Sequence, residues 1–319
     1  KEINLDFFPK KNNHKFWDRF VKTGSSHYVI PALYFKLKQR DFLKLLNAEL
    51  VSYLEEIYNQ NYNRNKELVK EVNEISHLLK THSINHVFLK GSALVSSIYK
   101  QSIGVRMVGD IDILIAKDQI FRAQKLIQGN NYKNLYKYDG LRGRHLQRLI
   151  HDNKDFALEL HASLGYKNFL DKSYYKLLNR KIIGNVNILK WDDFLFHIIL
   201  NFQSNDYGSL KANYSFRTLL DVFNITNLNP KLILEESIHV DKINLIMSRM
   251  QNLNYKLKSN LLIFNFRLNL KNWSLLYCFI ENRIFNILIS IKLNLNRIIE
   301  FIKIKEYRHH VLHKLGIIQ

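Results

Sequence analysis

Punctuation constrains this chain more than any motif does. Across 319 residues there are three prolines, Pro9, Pro31 and Pro230, and eleven glycines. Points where a helix must stop or a tight turn forms readily are therefore scarce, and long helices should dominate. "SHYVIPALYFKLKQRDFLKLL" and "AELVSYLEEIYNQNYNRNKELVKEVNEISHLLKTH" carry apolar residues at steps of three and four. In the second, Leu68, Val72, Ile75 and Leu79 make one stripe, the pattern of an amphipathic helix.

The period then changes. "INHVFLKG" reads as a short strand ending at Gly91, and "SALVSSIYK" as a helix with Ser92 at or near its N-cap. "DIDILIA" alternates as a strand, with Ile111, Ile113 and Ile115 on one face and Asp110, Asp112 and Leu114 on the other. "KDQIFRAQKLIQGN" is a helix closing at Gly129 as its C′ residue, and "NLYKYDG" is a further strand. "HLQRLIHDNKDFALELHASL" reads as paired strands turning across "HDNKD". From about residue 166 the helical period returns and is expected to persist to the end. The division is 1–65, an N-terminal helical region; 66–165, an α/β core; and 166–319, a C-terminal helical region with a basic tail.

Two acids inside an apolar strand need a reason. Asp110 and Asp112 project side by side, roughly 6.5–7 Å apart at their Cα atoms. Such a pair is costly unless a cation lies between them. Carboxylate oxygens suit Mg²⁺ or Mn²⁺, which complete their shells with water and substrate phosphates. A third acid, Glu159, stands in "FALELHA" on the face shared with Ala157 and His161, and three carboxylates on adjacent strands can hold two metals. His161 either ligates or hydrogen-bonds Glu159 from behind. A strand that ends in Gly and turns into a helix offers close backbone approach and free N–H groups for phosphate. Gly91 and Ser92 fill that role, and Lys90 either adds charge or is a solvated strand-end lysine.

The order strand, Gly-Ser, helix, Asp-x-Asp strand and later acid resembles the nucleotidyltransferase superfamily that includes DNA polymerase β. More closely, the chain is similar to its uncharacterised bacterial branch. "LKGSAL", Tyr99, Arg106, "DIDIL" and "RHLQRLIHDNKDFALELHASL" carry that resemblance, flanked by "YNRNKELVKEV", "DDFLFHIILNF" and "RTLLDV", so that it covers most of residues 15 to 225. One departure is the seventeen residues between Ser92 and Asp110, longer than the superfamily's usual spacing. They include the loop "KQSIGVRMVG", in which Arg106 meets either a phosphate or a nearby acid.

The resemblance implies α/β (α+β) architecture: a small mixed nucleotidyltransferase sheet flanked by N- and C-terminal helical regions, helix-dominated overall. It implies transfer of a nucleoside monophosphate from an NTP to an acceptor, releasing pyrophosphate. Asp110 and Asp112 would bridge two Mg²⁺ or Mn²⁺ ions, Glu159 would ligate the one activating the acceptor, and Gly91 and Ser92 would hold the β- and γ-phosphates. RNA, a protein or a small molecule are all acceptors in such a superfamily. The rival reading is a catalytically inactive module of the same fold that binds RNA or a protein partner.

Composition trims the remaining classes. The single cysteine, Cys278, excludes an internal disulfide framework and a thiolate zinc cage. No run of 18 uncharged apolar residues and no N-terminal hydrophobic leader is visible, which suits a cytoplasmic chain without a spanning helix. The net charge of +20 invites a polyanionic partner and equally fits a Lys- and Asn-rich composition bias. Residues 251–319 hold eleven Lys or Arg and three Glu, net +8. Interleaved with aromatic and aliphatic residues, they can grip RNA phosphate, lie on an anionic membrane or form a solvated helix face. His145 and His151 are lesser site candidates near opposite ends of the paired strands, whereas His197 reads as a packed core imidazole and the "RHH" of 308–310 as surface ones. Asp221 reads as a cap or a partner of Arg217 four residues earlier.

Overall fold

The computed structural model describes residues 9–135, 141–142, 144–164, 177, 180–232, 237–250 and 256–317. Its opening helices are α1 (His14–Ser26), α2 (Ile30–Gln39) and α3 (Ala48–Thr81). α3 starts where the Asn47 side chain accepts the Leu50 N–H at 2.7 Å, satisfying one of the orphan donors of the first turn. It runs 34 residues because nothing in it breaks the helix. Its stripe of Leu68, Val72, Ile75 and Leu79 is buried, each side chain contributing about 1.5–3 kcal/mol of apolar burial.

The α/β core follows as β1 (His86–Phe88), α4 (Lys90–Val95), β2 (Ile111–Ile115), α5 (Ile120–Gln128), β3 (Lys133–Asn134), β4 (Leu141–Arg142), β5 (His145–Leu146), β6 (Leu149–Ile150) and β7 (Leu158–His161). β8 (Arg180–Ile183) and β9 (Val186–Leu189) complete one mixed sheet of order β3-β6-β7-β2-β1-β9-β8, with β5 also pairing β7. β2 is flanked by antiparallel β1 and parallel β7. All five of its residues are buried, so the alternation in "DIDILI" separates two covered faces rather than a dry face from a wet one. The protein is a helix-dominated α+β fold around this sheet.

Three local details differ from the sequence reading. The helical period expected after residue 166 is interrupted by the β8–β9 hairpin, which joins the sheet through Phe88 and Ile188. Gly129 caps α5 in right-handed geometry (φ −61°) and is not a left-handed C′ residue. Ser92 sits inside α4, whose N-cap is Leu89. Of the strand expected at "NLYKYDG", Asn134 belongs to β3, and residues 136–140 lie outside the described ones.

The C-terminal part contains α6 (Trp191–Leu200), a π-helical turn (Asn201–Asn205), α7 (Phe216–Leu228), α8 (Ile238–Met250), α9 (Leu262–Trp273), α10 (Leu275–Lys303) and α11 (Lys305–Lys314). α6 packs its apolar face into the main core, with Phe194, Leu195 and Ile199 all buried. Among the described residues no helix is long and apolar enough to cross a membrane.

Candidate active site

The parallel pairing of β2 with β7 sets Asp112 beside Glu159 and Leu114 beside His161. Neighbouring strands lie about 4.8 Å apart, so two carboxylates and an imidazole converge on one face. Asp112, Glu159 and His161 each offer a ligand atom, all within 4.8 Å of one another. His161 Nε2 lies 2.9 Å from Asp112 Oδ1 and 3.6 Å from Glu159 Oε2. Two carboxylates and one imidazole form a donor set that fits Mn²⁺, and the carboxylates with added water fit Mg²⁺.

Asp110 stands just before β2 at the mouth of this cluster. Arg148, between β5 and β6, spans the mouth: its Nε donates to Glu159 Oε1 at 2.6 Å and its Nη2 lies 3.1 Å from Asp110 Oδ2. On the far side Lys90 Nζ lies 2.8 Å from Asp112 Oδ1. Lys90 reaches there from a left-handed backbone conformation (φ +48°), which costs a non-glycine residue about 1–3 kcal/mol. The Leu89 N–H donates to the Asp112 carbonyl at 2.9 Å, fixing the start of α4 against β2.

The electrostatics separate the acids. Burial raises the Asp112 carboxyl, but the His161 hydrogen bond and the Lys90 charge outweigh it, and its pKa is lowered overall. Glu159 follows the same logic: burial opposes ionisation, and His161 and Arg148 hold the carboxylate ionised far below the usual range. Asp110 is displaced the other way, raised by burial and by repulsion from Glu159 and Asp112 against the pull of Arg148.

Gly91, Ser92 and Arg106 occupy less open positions than their sequence context suggests. A Cβ on Gly91 would come 2.9 Å from Val108 Cγ1 and 3.0 Å from the Arg106 guanidinium; glycine there lets the following loop pack onto α4. The buried Ser92 hydroxyl donates to the Leu89 carbonyl at 2.9 Å. The first-turn N–H groups of α4 have no partner within the helix. The Arg106 guanidinium is buried against Asp221, with Nη2 at 2.8 Å and Nε at 3.1 Å. Tyr99 donates to the same carboxylate at 2.9 Å and accepts from Asn224. Asp221 thus pairs with Arg106, 115 residues away, and not with Arg217 on its own helix.

The "KQSIGVRMVG" loop is held by α3. Asn61 donates to the Gly104 carbonyl and Asn65 to that of Arg106, each at 2.7 Å. Arg64 bonds the carbonyls of Val108, Gly109 and Asp155, tying the approach to Asp110 to the β7 hairpin. "NYNRNKEL" carries these residues, but nothing in its helical period marks them as loop anchors. Arg148 was likewise unmarked. His145 packs its ring 5.3 Å from that of His161, and burial lowers its pKa. His197 on α6 is buried and its pKa is held well below the ordinary value by burial and by Lys90, so it stays neutral behind the cluster. Arg217 lies with its guanidinium 4.9 Å from the centre of the Tyr28 ring, pushed down to about 10 by burial and by Arg106.

An antigenic nucleotidyltransferase-like protein from Paracoccidioides brasiliensis is 17% identical, with 59% of this chain and 89% of that chain covered at a TM-score of 0.41. The antibiotic-resistance factor ANT(2'')-Ia is 8% identical, with 59% and 93% covered at a TM-score of 0.38. No curated protein matches. The family described as uncharacterised nucleotidyltransferase matches residues 13–246, the span that holds every residue of the cluster, and this chain belongs to that family.

Proposed function

We propose that the protein is a divalent-metal-dependent nucleotidyltransferase, moving a nucleoside monophosphate from an NTP to an acceptor hydroxyl with release of pyrophosphate. One observation carries the reading: Asp112 and Glu159 stand in register on parallel strands, with His161 completing a compact donor set. Within the family span, that set lies beside the strand-to-helix turn at Lys90. Asp110, Asp112 and Glu159 would hold Mg²⁺ or Mn²⁺, with His161 as a further donor or as the orienting partner of both buried acids. The metal supplies charge neutralisation at the triphosphate and the acceptor oxygen.

The chain's own groups do the rest. The first-turn N–H groups of Gly91 and Ser92 face the β- and γ-phosphates, and Lys90 adds a cation beside Asp112. The acceptor oxygen bonds to the α-phosphorus, the bond to the pyrophosphate oxygen breaks, and the hydroxyl proton leaves toward the Asp110–Glu159 carboxylates. Arg106 supports this site through its ion pair with Asp221, which sets the loop leading into Asp110.

A second reading, a catalytically inactive module binding RNA or a protein partner, is favoured by Arg148, which bonds Asp110 and Glu159 where a metal would be shared. Incubation with each α-labelled NTP, Mg²⁺ or Mn²⁺ and host lysate separates the two. Label in one of the RNA, protein or small-molecule fractions, lost in Asp110→Asn/Asp112→Asn, is the expected result and names the acceptor class. Absence of label from every NTP, together with no metal-dependent nucleotide binding, would leave the inactive module.

A further inference from the structure

The longest helix of the C-terminal part has a face that, among the described residues, the fold leaves exposed. α10 spans 29 residues, about 44 Å at 1.5 Å per residue. Along it Ile280, Ile284, Ile287, Ile291, Ile298 and Ile302 recur at helical steps and are each between 48% and 65% exposed. At about 100° per residue these six fall within an arc of about 60°. A soluble helix ordinarily turns such a stripe into the core; here α10 is held by one flank, about 90–130° round the helix from the stripe's centre. On that flank Glu281 is buried, bonded by Arg267, Lys271 and Tyr277, and the Phe285 ring lies under the Arg267 guanidinium.

The charges around the stripe indicate its occupant. Arg283 and Arg297 border it on one side, Lys292 and Lys303 on the other, roughly 70–130° from its centre. All four are exposed. Glu300 is the other acid of α10 besides the buried Glu281, and it falls on the side away from the stripe. The Arg283 guanidinium lies 5.2 Å from the centre of the Phe279 ring and the Lys292 ammonium 5.8 Å from that of Tyr207, cation–π contacts that set both charges beside apolar surface. An apolar stripe bordered on both sides by cations is the pattern of a helix lying in the plane of a bilayer interface. Pairing with a second copy would bring cationic rims together with no acid between them, which disfavours that occupant.

We propose that α10 is a peripheral membrane-binding helix that docks the protein on anionic lipid bilayer surfaces. Its apolar stripe enters the headgroup–acyl boundary, and Arg283, Lys292, Arg297 and Lys303 meet lipid phosphates. The family match ends at residue 246, so this surface belongs to the part of the chain outside the shared transferase span. The proposal is independent of whether the acid cluster is active.

Vesicle flotation of the full chain tests it, using phosphatidylglycerol–phosphatidylcholine vesicles against pure phosphatidylcholine, with light scattering for the oligomeric state. Binding to the anionic vesicles should exceed that to the neutral ones at least tenfold and weaken in 0.5 M salt. Ile284→Asn/Ile291→Asn should lose it. Arg283→Gln/Lys292→Gln/Arg297→Gln should lower it by about fivefold per cation removed. All five positions are exposed, so neither variant should disturb folding, and circular dichroism checks that. Equal binding to both vesicle types, binding to neither, a stable dimer that the isoleucine variant dissociates, or salt-sensitive binding to RNA in place of vesicles would each overturn the proposal.

Discussion

Two buried charge clusters lie on either side of α4, and they are built to opposite rules. In one, the Arg106 guanidinium meets a single carboxylate, Asp221, with Tyr99 bonding the same group; both ionic side chains are at most 8% exposed. One positive charge balances one negative, and the remaining Arg106 donor goes to the Met107 carbonyl. In the other, Asp110, Asp112 and Glu159 bring three carboxylates against Lys90 and Arg148, whose side chains are 23% and 49% exposed. The acids outnumber the close cations, and the cations sit on the solvent side. A closed pair holds a loop in place, whereas a cluster with excess negative charge is disposed to accept another cation.

The comparison breaks if the closed pair proves dispensable. Asp221→Ala would leave Arg106 buried without a counter-ion, and removing one partner of such a pair costs about 3–5 kcal/mol. Urea unfolding should show that loss, and a cost below about 1 kcal/mol would mean the pair does not hold the loop. Acid sharpens the contrast next. Asp112 and Glu159 have lowered pKa values, so their ionised forms persist below the ordinary carboxylate range, and their contribution is lost only as pH falls further. Loss of stability between pH 7 and 5 must then come from buried imidazoles. His86 on β1 is pushed down to about 4 by burial, so below its unfolded value near 6.5 the unfolded chain takes up the proton and the fold does not. Its share is roughly 2 kcal/mol lost by pH 5, and His86→Gln should flatten the pH dependence of unfolding by that amount. Gly91→Ala probes the seam between the clusters. Its Cβ would press on Val108 and Arg106, an overpacking worth about 1–3 kcal/mol in thermal unfolding.

The acid cluster was far more legible in the sequence than the closed pair, for a physical reason. Asp110, Asp112 and Glu159 interrupt apolar strands, where a two-residue period makes a charge conspicuous and fixes its face; register then brings Asp112 to Glu159. Arg106 and Asp221 lie in a loop and on a helix, 115 residues apart, and no local period links them, so from the sequence Asp221 reads as a helix cap or a partner of Arg217. Arg148 follows a two-residue strand, too short to show alternation. The β8–β9 hairpin did carry a signal. Gly184 and Asn185 form a two-residue loop between paired Ile183 and Val186, with Gly184 at φ +57°, and Gly-Asn between apolar runs is a hairpin mark. It stands in a region whose helical period on either side hides it. Gly91 and Ser92 were found by position, yet their spacing to Asp110 concealed that the intervening loop folds back and packs against Gly91.

The smallest effect on stability is the one that most sharply separates the two clusters. Asp110 has a raised pKa because burial and the neighbouring Glu159 and Asp112 oppose its charge more than Arg148 favours it. A carboxyl raised in the fold weakens the fold when ionised, so at pH 7 removing its charge should relieve the molecule. Asp110→Asn is therefore expected to leave stability unchanged or raise it by up to about 1 kcal/mol, opposite in sign to Asp221→Ala. Arg148 keeps its bond to Glu159 in that variant, so the mouth of the cluster stays in place. Mn²⁺ titration by calorimetry at pH 7 supplies the second readout, with affinity expected to fall at least tenfold. A more stable protein that binds Mn²⁺ less well would identify Asp110 as a residue kept for its charge at the expense of the fold. Unchanged Mn²⁺ affinity would confine the metal to Asp112, Glu159 and His161, and a loss of stability would show that Asp110 belongs with the closed pair.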